Sequence, residues 1–444
     1  MTEPRRTSLF IGLRRTELAM IGLFMLLFSE ALLSRIFATP ENPEGGAFLR
    51  FLWLPIYGYA AIAIVVRWRD FVAMVVRSPA LVLLALLAVA SMFWSIDPST
   101  SLRRGIAILF TTFFGFYLAS TLSWKEMIRL FGVVWIILAI GNAIAGGLVP
   151  SFGRMHEIHP GAWQGLWFEK NAMGGFMARA SFLFGFLVWI DKDHRRWWLF
   201  GLLSTIFLVL MSTSKTSLLG MMLGSGILLA YLWMQKGKLV TISSLWLMST
   251  VAISAYMVLI VAPEAVVAII GRDLTLTGRT DIWEVLIQLI SERPLLGYGY
   301  GAFWGADSMP AYRVRLETEW IVPTAHNGIL EVVLAVGWLG GGLFIFDFLV
   351  NLVRSVTTMT TRPTSLYAFG YFILFAMFSI SESVFLQQNS ITWVTYVALV
   401  GKLSLDARNR GEEKERARRH RTAMPVRSTL HAMNTPVKQQ RRGA

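Results

Sequence analysis

His326 and Asn327 stand side by side at the head of an apolar segment, TAHNGILEVVLAVGWLGG, residues 324–341. An imidazole changes charge near neutral pH, so a histidine at the edge of an apolar layer is suited to take a proton from a hydroxyl nucleophile. The plainer alternative is an interfacial histidine with a satisfied hydrogen bond. Upstream, Arg279 precedes a stretch in which Ile282, Val285, Leu286 and Leu289 recur on one helical face. A guanidinium beside the free N–H groups of a helix start makes an anion site. Pairing of Arg279 with Asp281 or Glu284 on a wet surface competes with that reading.

Further cations end other apolar runs. Arg103 and Arg104 precede one run, Arg154 and Lys170 flank the loop PSFGRMHEIHPGAWQGLWFEKN, and Lys215 sits in MSTSKTSLLG. Lys215 has almost no loop to hold it, so it either snorkels to water or meets an anionic partner. Several cations on one surface ask for an anionic headgroup such as a phosphate or pyrophosphate. Metal binding is not expected: His156, Glu157 and His159 cluster, but no His-Glu-x-x-His helix or fourth ligand at set spacing accompanies them. There is no Walker loop, and GYGYG lacks the strand–turn–helix context of a dinucleotide site. With no cysteine in the chain, disulfides, thiolate metal sites and cysteine nucleophiles are excluded together.

The elements that must position these residues are membrane helices. The 444 residues are 55% hydrophobic and only 15% charged, with mean hydropathy +0.56, whereas a soluble domain carries about 25% charged residues. The apolar residues gather into runs near the ~20 residues that cross a bilayer. Spans are expected near 18–37, 48–66, 79–93, 105–120, 127–149, 172–190, 197–212, 215–234, 239–262, 326–350, 366–386 and 390–405. The expected fold is thus an all-α integral membrane protein of about twelve transmembrane helices, with a large periplasmic loop containing short helices. The first run is long enough to span, so no cleavable signal peptide is expected.

The net charge of +14 is read as topology rather than nucleic-acid binding. One set of connections holds Arg5, Arg6, Arg14, Arg15, Arg67, Arg69, Arg77, Lys125, Arg129, Lys192, Arg195, Arg196, Lys236, Lys238, Arg354 and Arg362; the other holds both long loops. The positive-inside rule then puts both termini, residues 1–17 and 406–444, in the cytoplasm and the chemistry on the outer face. The membrane domain is expected over 18–405, with 263–325 as the large outer loop within it. The basic tail from Asp406 has too few apolar residues to fold alone and is expected to lie disordered near anionic lipid.

These residues resemble the O-antigen ligase and Wzy-type polymerase superfamily of bacterial surface-polysaccharide assembly, over roughly residues 80–400. The specific part is His326-Asn327, nine residues from Gly328 to Val336, Gly337 and then Gly340, preceded by TGRTDIW…ERPLLGYGYGAF with its arginine at Arg279. STSKTS is similar to the family's Ser-Arg segment, with Lys215 where arginine is commoner, which keeps the charge but not bidentate geometry. Arg154 to Gly165 matches an Arg-x10-Gly element, a weaker pattern, and WSIDPSTSLRRGIAILFTTFFG and GLWFEKNAMGG resemble exopolysaccharide polymerases of the succinoglycan type.

The resemblance implies a GT-C-like glycosyltransferase at the periplasmic face of the inner membrane, working on an undecaprenyl-pyrophosphate-linked oligosaccharide by an inverting, metal-independent reaction. No cofactor is implied. Arg279, Lys215 and Arg104 would hold the pyrophosphate, with Arg154, Lys170 and Asn327 as further substrate contacts. His326 would act as base or orient the acceptor hydroxyl. Tyr298 and Trp283, with Trp163, Trp167 and Trp304, are candidates for stacking on sugars, interfacial anchoring being the alternative. A polysaccharide co-polymerase that regulates chain length is an implied partner. A ligase using the same donor with lipid A core as acceptor is the enzyme rival. A transporter is the rival of another class; it needs ionisable residues within the spans, and Glu382 is the main candidate.

Overall fold

In a bilayer a chain must satisfy its backbone polar groups internally, and long apolar runs do so as helices. The computed structural model describes residues 4–37, 46–157, 159–261, 279–359 and 361–423. Among them every extended element is helical, and strand-type pairing is limited to one bridge between Arg154 and Trp163. In chain order the helices are α1 (Pro4–Phe28), α2 (Leu33–Phe37), α3 (Gly46–Val66), α4 (Trp68–Arg77), α5 (Pro79–Ala90), α6 (Pro98–Thr121), α7 (Trp124–Leu148) and α8 (Pro150–Gly153). They continue as α9 (Lys170–Ile190), α10 (Arg195–Met211), α11 (Lys215–Met234), α12 (Lys238–Val261), α13 (Arg279–Glu292), α14 (Met309–Thr318), α15 (Gly328–Met359), α16 (Thr364–Ser379) and α17 (Ile391–Ala423).

Five of these, α6, α7, α9, α11 and α15, are long and apolar enough to cross a membrane by length and composition. Their outward faces are apolar: on α11, Leu219, Met222 and Leu229 are exposed, as expected of surface that meets lipid rather than water. The protein is a multi-pass membrane protein. The expected span 79–93 is one arm of a pair, α4 with Pro79–Phe93, bent by 95°. Ser78 and Pro79 stand at the bend, since a proline restricts the residue before it away from helical geometry. The last residue of the expected span 239–262, and residues 263–278 of the expected outer loop, lie outside the described residues.

The packing centre is α17. Ile391, Trp393, Val394, Tyr396, Val397, Ala398, Leu399 and Val400 are all at most 1% exposed. A helix apolar on every side belongs in a core rather than against solvent, and α17 packs on α6, α4, α15 and α16. It does not stop at Asp406, where the disordered tail was expected to begin, but runs to Ala423. Ion pairs Arg362–Asp406 at 2.5 Å and Arg408–Asp70 at 2.7 Å fasten the first turns beyond that boundary. Residues 424–444 of the expected tail lie outside the described residues.

Two buried charges sit within the bundle, each with partners. Arg179 of α9 donates to Thr392 Oγ1 and Gly175 O, and its guanidinium lies over the Phe176 and Phe378 rings. Asp347 of α15 accepts from the Tyr396 hydroxyl at 2.7 Å. The sequence points to Glu382 as the main ionisable candidate in the spans, yet Glu382 lies beyond the end of α16.

A second, smaller core lies between α13, α14 and the start of α15. Ile282, Val285, Leu286 and Leu289, the face expected from periodicity, are buried there with Ala311, Val314, Val333 and Leu334. Burial contributes roughly 1.5–3 kcal/mol for each of the larger aliphatic side chains. This core carries Arg279, at the head of α13, to the same end of the molecule as His326.

Candidate active site

The glycines of the His326 segment break a helix. α15 is interrupted at Val336 (φ −135°, ψ 19°) and Gly337 (φ 68°, ψ −176°). The loop PLLGYG docks its backbone into the break: Tyr298 N donates to Leu334 O, Gly299 N to Ala335 O, Trp338 N to Pro294 O and Leu339 N to Leu295 O, at 2.8–3.3 Å. Four backbone groups beside the break gain partners in this way, as an apolar setting favours. A Cβ on Gly337 would lie 2.0 Å from Leu295 O, so only glycine permits the dock. The loop glycines approach this helix and, at Gly301, the side chain of Arg104, which donates to Gly301 O at 2.7 Å.

His326 is held just before α15 in left-handed geometry, φ 47°, a conformation that costs about 1–2 kcal/mol for a residue with a Cβ. Its neighbours fix it. Ala325 N donates to Glu331 Oε2 at 2.8 Å, and Ala325 O accepts from the Trp283 indole at 2.9 Å. Asn327 accepts from Ile329 N and Leu330 N, and so caps α15. The imidazole stacks on Trp320, centroids 5.8 Å apart and planes 9° from parallel. Both ring nitrogens are buried and have no hydrogen-bond partner.

One carboxylate faces that ring. Glu382, on the segment between α16 and α17, has Oε2 3.9 Å from His326 Nδ1 and Oε1 3.5 Å from Arg279 Nη2. Arg279 therefore pairs with neither Asp281 nor Glu284 among the ion pairs of the structure. Next to Glu382, Ser383 donates to Glu331 Oε2 at 3.2 Å, and Glu331 also accepts from the Trp304 indole at 2.9 Å. Glu331 thus ties together the residue before His326, the 300s loop and the segment bearing Glu382. Glu169, the N-cap of α9, belongs to the same electrostatic group: burial, and then the Glu382 charge, hold its carboxyl above the usual range, against the pull of His326 and Arg279.

Lys170 follows Glu169 and is buried, with its ammonium 3.4 Å from Thr213 Oγ1. Lys215 begins α11 two residues beyond Thr213, and α9 packs against α11. Arg104 lines a cavity of about 950 Å³, together with Glu30, Tyr300, Arg315, Glu331, Gln387 and Gln388. His326, Arg279 and Glu382 do not line this cavity; Thr324, Glu331 and Ser383 form the wall between. The cluster of charges and the large cavity are therefore neighbours rather than one space.

Other expected site residues stand elsewhere or in supporting positions. Tyr298 is 3% exposed, packs edge-on against Phe303 and donates to Leu289 O, which leaves no face for a sugar. Trp283 donates its indole N–H to the residue before His326. Trp167 is buried and donates to Ser29 O. Arg154 donates to Gly146 O at 2.8 Å and lies over Trp163, with no recorded contact to His326 or Arg279. In the same element, Gly165 gives way to Asn142, whose Oδ1 accepts from Leu166 N. Of the weighed metal cluster, His156 lies 3.3 Å from Ser151 O. Among the described residues, Asp191, Asp193 and His194 bring three possible ligand atoms together, but Asp191 is already taken by Arg129 at 2.5 Å and the Trp198 indole at 3.0 Å.

Sequence reasoning missed Glu331, Ser383, Trp320 and Glu169 as members of this site. Glu169 and Ser383 are too far from His326 along the chain for any spacing signal, and Trp320 and Glu331, though near it, read as ordinary loop and helix-start residues. Glu382 gave one signal, a carboxylate ending an apolar run, and that had been assigned to transport.

Residues 199–345 match the family model described as O-antigen ligase. This stretch contains Lys215, Arg279, His326, Asn327 and Gly337. The chain is also 26% identical, over 380 residues, to the exopolysaccharide production protein ExoQ of Rhizobium meliloti (strain 1021), covering 81% of this chain and 83% of that protein. Both matches support the likeness to the O-antigen ligase and Wzy-type superfamily, and both point to polysaccharide assembly of the ligase or polymerase type.

Proposed function

We propose that this protein polymerises undecaprenyl-pyrophosphate-linked oligosaccharide repeat units into exopolysaccharide at the periplasmic face of the inner membrane, both termini being cytoplasmic. The observation that carries the reading is the meeting of Arg279 and His326 on one carboxylate, beside a cavity whose volume suits an oligosaccharide. Arg279, helped by Lys170 and Lys215 at the neighbouring helix starts, holds the pyrophosphate and stabilises the charge that grows on it as it leaves. His326 offers an imidazole nitrogen with no competing partner to the acceptor hydroxyl. The glycosidic C–O bond forms as the bond from the anomeric carbon to the pyrophosphate oxygen breaks, with inversion. The electron pair leaves on undecaprenyl pyrophosphate and the hydroxyl proton goes to the imidazole. No metal step is invoked. A chain-length co-polymerase is the partner this reading implies.

Similarity to a protein named for exopolysaccharide production favours polymerase. The description of the matching family model favours a second reading, ligation of finished chains to a lipid A core. Purified full-length protein in lipid nanodiscs separates them. It should convert lipid-linked repeat units alone into a ladder of longer chains; a product only when lipid A core is added would establish the ligase. His326→Ala and Arg279→Ala should each lower turnover about 10²–10⁴-fold while the protein remains folded. Full activity in either variant overturns the role given to that residue.

A further inference from the structure

Glu382 carries a device that the superfamily motif does not contain. Its two oxygens face two different basic groups: Oε1 lies 3.5 Å from the Arg279 guanidinium and Oε2 lies 3.9 Å from His326 Nδ1. The three residues come from separate parts of the chain, the head of α13, the residue before Asn327 and the segment after α16. Glu382 is anchored in place by its backbone N–H to Phe378 O and, through Ser383, by Glu331. Without a pyrophosphate, the carboxylate's strongest partner is the permanent charge of Arg279. A pyrophosphate brings at least two negative charges to the same guanidinium and competes for it.

We infer that Glu382 is a positioning residue that couples donor binding to the base: as the pyrophosphate draws Arg279 away, the carboxylate turns to His326 Nδ1–H. That contact fixes the tautomer with Nε2 free to take the acceptor proton, and stabilises the imidazolium that then forms. The base is thus strongest only when a donor is in place, which withholds proton abstraction from an empty site. The inference rests on the polymerase or ligase reading above. The other charged groups facing this cluster are Glu169 and Arg179 from α9 and Glu331 from α15. Glu331 is fully engaged by Ala325 N, Trp304 and Ser383, and Arg179 by Thr392 and Gly175. Glu382 is the group whose two contacts are both to the reacting residues.

The test uses full-length protein in nanodiscs and undecaprenyl-pyrophosphate oligosaccharide purified from producing cells that lack this chain. Glu382→Gln should lower kcat about 10–100-fold without raising the donor KM, because Arg279 is left free for the donor. The acid limb of its kcat–pH profile should move down by about one pH unit, since losing the negative carboxylate makes protonation of the base less favourable. Glu382→Asp, which keeps the charge at a longer reach, should move kcat and the acid limb back together, each part of the way to wild type. In a His326→Ala background, Glu382→Gln should cost at most about twofold more. An unshifted acid limb, or fully additive losses in the double variant, overturns the coupling. If Glu382→Gln proves unstable, the Asp variant carries the same test: a limb shifted as far as kcat is lost supports the coupling, and lost kcat with an unmoved limb overturns it. Wild-type protein that neither polymerises nor ligates would instead overturn the proposed function.

Discussion

Two segments drew attention by the spacing of a charged residue and glycines, and the fold uses them differently. In the segment from Arg154 to Gly165, the arginine donates to Gly146 O and covers Trp163, while the glycine makes room for Asn142. Arg35 closes the same loop from α2, donating to Phe152 O, Gly165 O and Trp167 O. Arg154, Gln164 and Arg35 all spend their donors on backbone carbonyls there. In the segment from His326 to Gly340, the glycine also serves packing, by breaking α15 for the loop at residues 294–299. The histidine at its head, however, keeps both nitrogens unpartnered. A polar group with its hydrogen bonds made is structure; one buried without them stores a cost of about 1–3 kcal/mol that a substrate can relieve.

Substitutions should widen that contrast. The largest effect is expected for Gly337→Ala. The new methyl meets Leu295 O and the residue needs φ 68°, so the loop at 294–299 must leave the break with loss of its four backbone hydrogen bonds. Destabilisation of about 3 kcal/mol or more should appear as a lower Tm in detergent, together with loss of activity. His326→Ala, eleven residues away, should lose activity at nearly unchanged Tm. A Gly337→Ala protein as stable as wild type would show that the dock is dispensable.

A smaller effect is expected for Arg154→Ala, which removes one charged hydrogen bond and one ring contact. It should cost about 1–3 kcal/mol of stability while kcat falls less than about threefold at a temperature where the variant is folded. A kcat loss comparable to that of Arg279→Ala would place Arg154 in the reaction after all and dissolve the comparison.

The smallest effect concerns the connection between α9 and α10, at the end of α9 away from Lys170. Burial works against ionisation of Asp191, but Arg129 and the Trp198 indole outweigh it and hold the carboxyl down at about 2. A carboxyl depressed in the fold contributes stability that is complete above its unfolded value, near 4, and is lost as pH falls towards 2. The contribution is about 2 kcal/mol by that linkage. Asp191→Asn should lower Tm at neutral pH and flatten its decline between pH 4 and pH 2, with no change in the pH profile of turnover.

Much of the fold was legible because membrane helices follow from local composition. Long apolar runs marked α6, α7, α9, α11 and α15, and the period of Ile282, Val285, Leu286 and Leu289 marked the buried face of α13. Local signals failed where helices bend or penetrate the core. The 95° turn at Ser78 and the continuation of α17 past Asp406 depend on contacts with distant segments. For the candidate site, His326 and Arg279 were readable as candidates, since an imidazole and a guanidinium stand at apolar boundaries, though each also had a plainer reading. Tyr298 and Trp283 stayed open between sugar contact and interfacial anchoring, because aromatic type says nothing of which way a ring is packed.

The sequence by itself therefore determined a helical membrane bundle, the charged residues available to it and the motif by which it resembles the O-antigen ligase and Wzy-type superfamily. These follow from residue chemistry and short-range period. Only the tertiary structure decided that Glu382 stands between Arg279 and His326, and that the GYGYG loop fills a break in α15 rather than cradling a ligand. Both depend on where segments dozens of residues apart come to rest, and no local pattern encodes that distance.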